Sequence, residues 1–336
     1  MLKHTPKLTS SEISMLWSTF IGDTMSTCIL KHFLHTVEDK DIIPIIKFAL
    51  ETSQEHIVII TELFNKEGIP IPNGFGEQDV NLKAKKLFSD VTYMRYLHHM
   101  GRTGLNSYSL AKSVSARKDI RGFFKYFYNQ TEILLDNNVE LMQNKGVFIR
   151  APYISYPEKV EYITDKSFIG GLVGNRRPLL AVEIAHLGIN IEVANVAKTL
   201  LLGFSQVAQS KKISDYFKRG YDVGKKLVED LMIKLKEDDN SYPSTWDSTI
   251  TNSTEAPFSD KLMLFHTNIQ SAIGVGDFGL AMAASLRKDL SVMYEKHLLK
   301  VGIFANEGAK FQIEHGWFEK PPQSLDREVI RNNNHH

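Results

Sequence analysis

The chain has 336 residues, long enough for two domains of ordinary size, and 43% of these residues are hydrophobic. Its 40 lysines and arginines nearly balance its 39 aspartates and glutamates, so its charge does not favour binding to nucleic acid or to an anionic membrane. The single cysteine, Cys28, excludes a disulfide framework within the chain and is typical of a reducing compartment. Because the first residues also lack the apolar stretch of a secretory signal, we expect a cytoplasmic protein.

The first half of the chain shows the 3.6-residue periodicity of amphipathic helices. The first predicted helix has an apolar stripe through Leu16 and Phe20, and Thr9 with Glu12 forms a capping-box pattern at its start. Gly68 follows the second helix and is typical of a helix end. The four predicted helices cover residues 11–37, 42–66, 90–114 and 119–144.

The second half of the chain repeats the first. With a shift of 170 positions, residues 87–152 align without a gap on residues 257–322, with 14 identities in 66 positions. The motif Ser-x-Arg-Lys-Asp occurs at 115–119 and again at 285–289. Such a repeat indicates two copies of one structural unit. The corresponding helices of the second copy are predicted at residues 178–209, 213–237, 260–284 and 289–314.

The loops between the helices predict how each unit is connected. A turn of about five residues joins the third and fourth helices, which makes them antiparallel neighbours. The second and third helices are joined by residues 68–88 in one unit and 238–258 in the other, both rich in Pro, Gly, Asn and Ser. A helix of 24 residues is about 36 Å long, whereas eighteen extended residues span about 59 Å, so this loop can run the length of a bundle.

We therefore predict an all-α protein of two tandem ferritin-like four-helix bundles, each with a long crossover between its second and third helices and each with its own core. A simple up-down-up-down bundle with a slack loop is the alternative. The linker is expected to be extended, with a hinge that includes Gly174 and Asn175. The predicted divisions are residues 1–151 for the first bundle, 152–177 for the linker, 178–322 for the second bundle and 323–336 for a polar tail.

One set of polar residues in the second bundle has the pattern of a metal site. Ferritin-like sites take carboxylates from two helices and Glu-x-x-His from the other two, and Glu183-x-x-His186 matches that motif once. With a crossover, His186 and His297 lie at one level of the bundle, and two acidic residues on the other helices reach the same level. The hypothetical ligand set for iron, manganese or zinc is Glu183, His186, Glu229, Asp277 and His297.

A structural role for these histidines is the interpretation that the sequence favours, because a buried histidine is more often hydrogen-bonded to a neighbouring side chain than bound to a metal. Met15 and Phe127 occupy the aligned positions in the first unit, so a metal site would exist only once. The sequence therefore leaves the cofactor unknown, and it does not favour a divalent metal. The first unit offers a weaker set at mid-height: Asp23, His56, His99 and Glu132.

Three further interpretations concern single features. His56 is predicted to be a partly exposed capping partner, and His266 to face the interior at the end of the second bundle opposite His186. The Ser-x-Arg-Lys-Asp motifs are predicted to end one helix and cap the next, with phosphate binding as the alternative. The longest apolar run, residues 193–204, is too short to cross a bilayer and is predicted to be a buried helix.

Several segments resemble a tandem-repeat family of spore-forming bacilli that is known only as a domain of unknown function. The resemblance covers essentially the whole chain and implies two ferritin-like bundles, distantly similar to a spore-coat family of the same shape. It implies no activity and no functional residues. The chain departs from the general ferritin-like metal pattern, because Glu-x-x-His is missing from the second and fourth helices of both units. The similar segments are Leu8–Trp17, Gly203–Ala208, Thr245–Asp247 and Phe258–His266.

We expect a non-catalytic helical-bundle protein, associated with sporulation or a coat, that acts through its surfaces on protein partners or on further copies of itself. The lack of a complete catalytic constellation favours this expectation over an enzyme. One alternative is a metal-binding protein or oxidoreductase with a single site in the second bundle. Another is a small-molecule carrier that uses the gap between the units.

Overall fold

A computed structural model describes residues 6–171, 176–240 and 247–333 of the chain, and within these ranges the protein is helical with no strand beyond two isolated bridges. The predicted all-α class is confirmed. The first bundle contains α1 (Ser10–Thr36), α2 (Ile43–Glu67), α3 (Asp90–Val114) and α4 (Lys118–Asn144). The second contains α5 (Ala181–Val207), α6 (Lys211–Lys236), α7 (Asp260–Ala284) and α8 (Lys288–Glu314), and a short α9 (Arg327–Asn333) follows.

Contacts at the helix ends show the crossover in the first bundle. The carboxylate of Asp90, at the start of α3, accepts a hydrogen bond of 2.9 Å from the backbone N–H of Asp39, just after α1. Lys145, at the end of α4, pairs with Asp39 at 2.8 Å. At the other end of the bundle, the start of α4 contacts Glu12 of α1 and Glu67 of α2. Residues 68–89 therefore run the full length of the bundle, and the slack-loop alternative is excluded.

The second bundle has the same connectivity. Asp260, at the start of α7, accepts hydrogen bonds from the backbone N–H groups of Gln209 and Ser210, just after α5, at 3.0 and 2.8 Å. The start of α8 contacts Glu183 of α5 and Glu237 at the end of α6. The α5 helix begins three residues later than predicted, because Glu183 accepts the backbone N–H of Leu180 and fixes the first turn there.

The two crossovers pair with each other between the bundles. An isolated antiparallel bridge joins Val80 to Phe258, and a second joins Phe88 to Ile250. The 170-residue repeat maps one bridge onto the other, because Val80 corresponds to Ile250 and Phe88 corresponds to Phe258. Backbone hydrogen bonds flank them, from Asn81, Ser89, Thr251 and Ser259. The two units are thus related by an approximate two-fold axis, as in an isologous dimer.

The hydrophobic core does not divide into two separate halves. The buried side chains of the first bundle are continuous with those of α5, α6, α7 and α8 near the crossovers, and only the far end of the second bundle forms its own cluster. Phe88 is so close to α5 that a Cβ atom on Gly203 would lie 2.5 Å from its ring. Its counterpart Phe258 packs against His32 of α1. The prediction of a separate core for each unit is therefore wrong, because each crossover places a phenylalanine in the other bundle.

The Ser-x-Arg-Lys-Asp motifs place a buried arginine at the base of each bundle. In the first, the Arg117 guanidinium pairs with Asp119 and with Glu67, each at 2.7 Å, and its backbone N–H donates to Glu12 at 2.7 Å. Only 2% of the Arg117 side chain is exposed. The arginine therefore ties together α1, α2 and the start of α4, and the predicted role of the motif as a simple cap was too limited. We call this arrangement the arginine cluster.

The second arginine cluster consists of Glu183, Glu237, Arg287 and Asp289. Hydrogen bonds from Arg287 and Lys234 outweigh the effect of burial and lower the pKa of Asp289 to about 2. Burial alone would raise the pKa of Glu183, but donors from Arg177, Leu180 and Arg287 lower it. Every group that contacts the Glu183 carboxylate donates a hydrogen bond to it, so the cluster requires the negative charge of Glu183.

Substitution of Glu183 by glutamine tests the cluster. The amide would turn an NH₂ group towards donors in a fully buried site, and we expect the free energy of unfolding to fall by about 3 kcal/mol. Urea denaturation followed by circular dichroism measures the change. Lys218→Ala, which breaks an exposed pair with Asp222, is the control and should cost less than about 0.5 kcal/mol. Equal losses in the two variants would contradict a structural role for the cluster.

The remaining segments differ in part from the sequence-based predictions. The predicted linker contains a single turn of 3₁₀ helix, Lys166–Ile169, and the hinge residues Gly174 and Asn175 lie outside the described residues. The predicted polar tail includes α9, and its last three residues also lie outside the described part of the chain. The domain boundaries remain predictions.

Among the residues that the structure describes, one helix is long and apolar enough to cross a membrane, judged by length and composition alone. This helix is α5, whose most apolar 18-residue window has a mean hydropathy of 1.3. However, 78% of that window is buried inside the protein, as is usual for a core helix. The structure therefore bears out the prediction of a buried helix over residues 193–204.

Candidate ligand-binding site

The structure places the hypothetical metal ligands of the second bundle in different surroundings. Glu183 is fully buried, but it belongs to the arginine cluster and accepts only hydrogen bonds. The Glu229 side chain is 49% exposed and points towards Lys226. Neither carboxylate is therefore arranged to face an ion inside the bundle.

The other three members of that set, His186, Asp277 and His297, lie on α5, α7 and α8. Asp277 is near His186, and Arg102 of the first bundle approaches it at 3.9 Å. His297 is buried, with its Nε2 atom 3.2 Å from Asp230. In the described part of the chain, no group of three or more His, Cys, Asp or Glu side chains is arranged to hold a metal ion. The five residues are not brought together, and metal binding by them remains a prediction.

The weaker set in the first bundle includes a close pair. His56 is 1% exposed, and its Nδ1 atom lies 3.1 Å from the carboxylate of Asp23. The prediction that His56 is a partly exposed capping partner is therefore wrong, because α4 covers the ring and Phe127 stacks on it at 3.7 Å. Glu132 is on the outer surface and takes no part.

Both ring nitrogens of His56 face oxygen atoms. On the opposite side from Asp23, Nε2 lies 2.9 Å from Oε1 of Gln130, and the Gln130 amide NH₂ donates to Glu55. The hydroxyl of Tyr108 is 3.4 Å from Nδ1. This arrangement suits a ring that carries both N–H protons and forms an ion pair with Asp23.

The Asp23–His56 pair borders a cavity of about 320 Å³ inside the first bundle. All four helices of the bundle contribute to its wall, and so does α7 of the second bundle. Apolar surface predominates in the wall, with hydroxyl groups between the apolar side chains. The buried Ser53 hydroxyl at this wall has no hydrogen-bond partner in the described structure. We call this space the first-bundle cavity.

Side chains from the two bundles meet at the end of this cavity. The Tyr96 hydroxyl lies 3.2 Å from Nε2 of His266, and these two residues occupy equivalent positions in the repeat. Nearby, Nε2 of His99 lies 2.7 Å from Oε1 of Gln270. His266 is 2% exposed, which confirms the prediction that it faces the interior. Its Nδ1 atom has no hydrogen-bond partner in the described residues.

Burial in this interface favours the neutral form of both histidines. It lowers the pKa of His99 to about 4, with a further contribution from the charge of Arg102, and it lowers the pKa of His266 to about 3. Burial also raises the pKa of Tyr96 and of Tyr108. Because His266 is neutral, its Nδ1 and Nε2 atoms supply one donor and one acceptor.

The second bundle has an equivalent but much smaller cavity, of about 70 Å³. The repeat aligns Asp23 with Ala194, His56 with Leu227 and Tyr108 with Phe278, and all three replacements line the smaller cavity. The Asp23–His56 pair and the Tyr108 hydroxyl therefore have no polar counterpart at the aligned positions of the second bundle.

The sequence analysis named Asp23, His56 and His99 but missed the cavity and its other polar residues. Tyr108 and Gln130 lie on the helices that face His56. In the sequence, Tyr108 aligns with an apolar residue of the second unit, and this difference between the units indicated a polar position. Small residues at facing positions, such as Gly22 and Gly104, also indicated missing side-chain volume. A ferritin-like site would need Glu-x-x-His on α2, and here Ser53 occupies the glutamate position.

A comparison with protein families agrees with the duplication of the chain. Residues 1–160 and 167–330 each match the model of one family, described as "Protein of unknown function (DUF3231)". The chain belongs to this family. No curated protein matches. A crystal structure of a "putative spore coat protein" from Bacillus halodurans C-125 is 20% identical, with a TM-score of 0.41, and the match covers 45% of this chain and 98% of that one.

The histidines at the interface make stability depend on pH. Their pKa values are lower in the folded state than the ordinary value near 6.5, so the unfolded chain binds protons first as the pH falls. We expect the free energy of unfolding to fall between pH 7.5 and pH 5, by on the order of 2 kcal/mol for each histidine. Urea denaturation at the two pH values measures this loss.

The variant His266→Gln keeps an acceptor for Tyr96 but cannot be protonated, so it should lose less stability on acidification than the original chain. The matched control is His35→Gln at an exposed position, which should keep the original pH dependence. If His266→Gln and His35→Gln respond to acid in the same way, the interface histidines are not the source.

Proposed function

We propose that the protein is a non-catalytic helical-bundle protein that binds a small molecule in the first-bundle cavity. The observation that carries this proposal is the cavity itself, with its volume of about 320 Å³ and one buried ion pair in its wall. An apolar cavity of roughly 150 Å³ is enough to bind benzene. The first-bundle cavity has room for a molecule of about twice that size.

The engagement of the histidines supports binding rather than catalysis. His56 faces Asp23 and Gln130 with its two ring nitrogens, so neither atom is left for a general acid or base. His99 is engaged with Gln270, and burial keeps its pKa at about 4. These side chains shape a wall and do not offer a reactive group.

The wall also indicates the type of ligand. Its surface is mostly apolar, so the body of the ligand is hydrophobic. The imidazole of His56 already faces the carboxylate of Asp23, so this pair leaves no unpaired charge for an ionic ligand, which favours a neutral ligand. Hydroxyl side chains also line the wall, among them Thr19, Thr103 and Ser107, and they favour one polar group on the ligand. A phenol or a short alcohol has these properties.

Binding of p-cresol tests the proposal, with toluene as the probe that lacks the hydroxyl. At ten times its dissociation constant, p-cresol should raise the free energy of unfolding by about 1.4 kcal/mol and the melting temperature by about 2 °C. Toluene should bind more weakly because it has no group that can form a hydrogen bond with the hydroxyl side chains of the wall. Thermal unfolding measures the shift.

A pair of glycine substitutions locates the site. Gly22 lines the cavity, and a Cβ atom there would contact nothing within 4 Å, so Gly22→Leu should fill the cavity and abolish the effect of p-cresol. Gly122→Leu, on the exposed side of α4 and equally open, is the matched control. The proposal fails if p-cresol has no effect on the original chain or stabilises both variants equally.

The expectation of action through protein surfaces is part of the proposal. The linker exposes three tyrosines almost completely: Tyr153 by 87%, Tyr156 by 94% and Tyr162 by 91%. Exposed aromatic side chains are enriched where proteins bind one another. We propose that this segment contacts protein partners or further copies, in the cytoplasm or in a spore coat; the coat association rests on the sequence resemblance.

The alternative function, a single metal site or oxidoreductase centre in the second bundle, has one observation in its favour. The Nδ1 atom of buried His297 has no hydrogen-bond partner in the described residues, and its Nε2 atom lies 3.2 Å from Asp230. A histidine in that situation has a nitrogen available for a metal ion.

Elemental analysis of protein purified without chelators separates the two functions. We expect iron, manganese and zinc far below one ion per chain, because the proposed ligands do not converge. A full equivalent of one metal that disappears in His186→Ala but persists in His35→Ala would establish the metal-binding alternative.

A further inference from the structure

The linker between the two bundles lies open to solvent. Every residue from 153 to 167 is exposed, and residues 150–165 form neither helix nor strand. Three of its side chains, Tyr153, Tyr156 and Tyr162, are almost completely exposed. Tyrosine side chains are usually partly buried in folded proteins, so the packing of the bundles does not use these three rings.

The linker backbone also lacks the contacts that hold a loop against a fold. Among the described residues, no backbone–backbone hydrogen bond involves residues 151–164. The ion pair between Lys159 and Glu161, at 3.1 Å, stays within the segment. Exposed segments of this kind are where proteases cut folded proteins, because the chain can enter the active site of the protease without any unfolding.

The linker sequence determines which bonds a protease of one class can cut. An endoprotease with an apolar primary pocket cleaves the bond that follows an aromatic residue. Tyr153 and Tyr162 are each followed by an isoleucine, whereas Tyr156 is followed by Pro157. Because proline has no N–H and a fixed φ, the bond between Tyr156 and Pro157 fits such an active site poorly. The susceptible bonds are therefore those after Tyr153 and Tyr162.

Aromatic residues outside this segment are protected even where they reach the surface. Tyr126 is 42% exposed, but it lies within α4, and a helix must unfold locally before a protease can bind it. Phe168 is partly buried against Arg177, whose guanidinium lies 4.4 Å from the centroid of the ring. We therefore expect cleavage in the linker before any cleavage in the bundles.

The contacts between the bundles do not depend on the linker. The two cuts leave α1 to α4 on one fragment and α5 to α9 on the other, so each fragment keeps all of its helices. The crossovers can remain paired, because the backbone N–H of Ser89 donates to Thr249 at 2.9 Å and that of Ser259 donates to Asp79 at 3.0 Å. The core that the two units share is also built from the bundles and the crossovers.

We propose that the linker is a proteolytic processing site and that the two units remain assembled after it is cut. The partner is an endoprotease with an apolar primary pocket. Hydrolysis breaks the amide bond between the carbonyl carbon of Tyr153 and the nitrogen of Ile154. Water adds its hydroxyl group to that carbon and its proton to that nitrogen, which leaves a carboxyl group and an amine. The same reaction after Tyr162 releases residues 154–162, and the product is a protein of two chains.

Limited digestion of the full chain with chymotrypsin tests the cleavage. Mass spectrometry should show the first cuts after Tyr153 and Tyr162 and none after Tyr156. The double variant Tyr153→Ser/Tyr162→Ser should be cut at least about ten-fold more slowly, because serine leaves the apolar pocket empty. Tyr156→Ser is the matched control and should be cut at the original rate. First cuts within a bundle, or a double variant that is cut as fast as the original chain, would overturn the proposal.

Size-exclusion chromatography of the cut protein tests the assembly. We expect the two fragments to elute together at the volume of the uncut chain and to separate only in denaturant. Fragments that separate in buffer would show that the linker holds the units together, and the proposal would then be wrong.

A pair of variants locates the contacts that hold the fragments together. Glu192 of α5 lies 2.8 Å from His98 and 3.4 Å from Arg102, both on α3 of the other fragment. Glu192→Ala should raise the dissociation constant of the cut protein by about ten-fold, measured by dilution in an analytical ultracentrifuge. Glu307→Ala, which breaks an exposed pair with Arg219 inside the second unit, should leave it unchanged. Equal effects of the two variants would contradict assembly through this interface.

Discussion

The pairing of the two crossovers is the constraint on which the rest of the structure depends. A crossover has to travel the length of its bundle without a helix, and its backbone groups need partners when it is buried. Each crossover here finds them in the other, through bridges between Val80 and Phe258 and between Phe88 and Ile250. Neither bridge can form in an isolated unit. The duplication is therefore part of how the fold satisfies its backbone, and the two bundles form one body.

This pairing also determines where the cavities lie. It places α3 and α7 against each other, so that Tyr96 meets its own repeat counterpart, His266, near the approximate two-fold axis. The first-bundle cavity is bounded on that side by α7, and a second cavity, between the bundles, is bounded by the first crossover and α7. The walls of both cavities therefore contain residues of both units.

The architecture was accessible from the sequence because it depends on local patterns. Helical periodicity, the capping pattern of Thr9 and Glu12, and loop length were enough to predict eight helices and the crossovers. What could not be predicted depends on contacts between distant segments. Nothing near Arg117 in the sequence shows that Glu12 and Glu67 will surround it. The same holds for Phe88, which fills space in the bundle of the other unit.

The candidate site shows how the two units have diverged chemically. The same helices surround a cavity in each bundle, but Asp23, His56 and Tyr108 of the first correspond to Ala194, Leu227 and Phe278 of the second. Burying an ion pair costs desolvation energy that apolar side chains avoid, and the second bundle shows that the fold is formed with apolar residues at these positions. A bundle of this architecture can therefore form without such a pair. Its presence beside a large cavity in one unit only is what favours a role in binding.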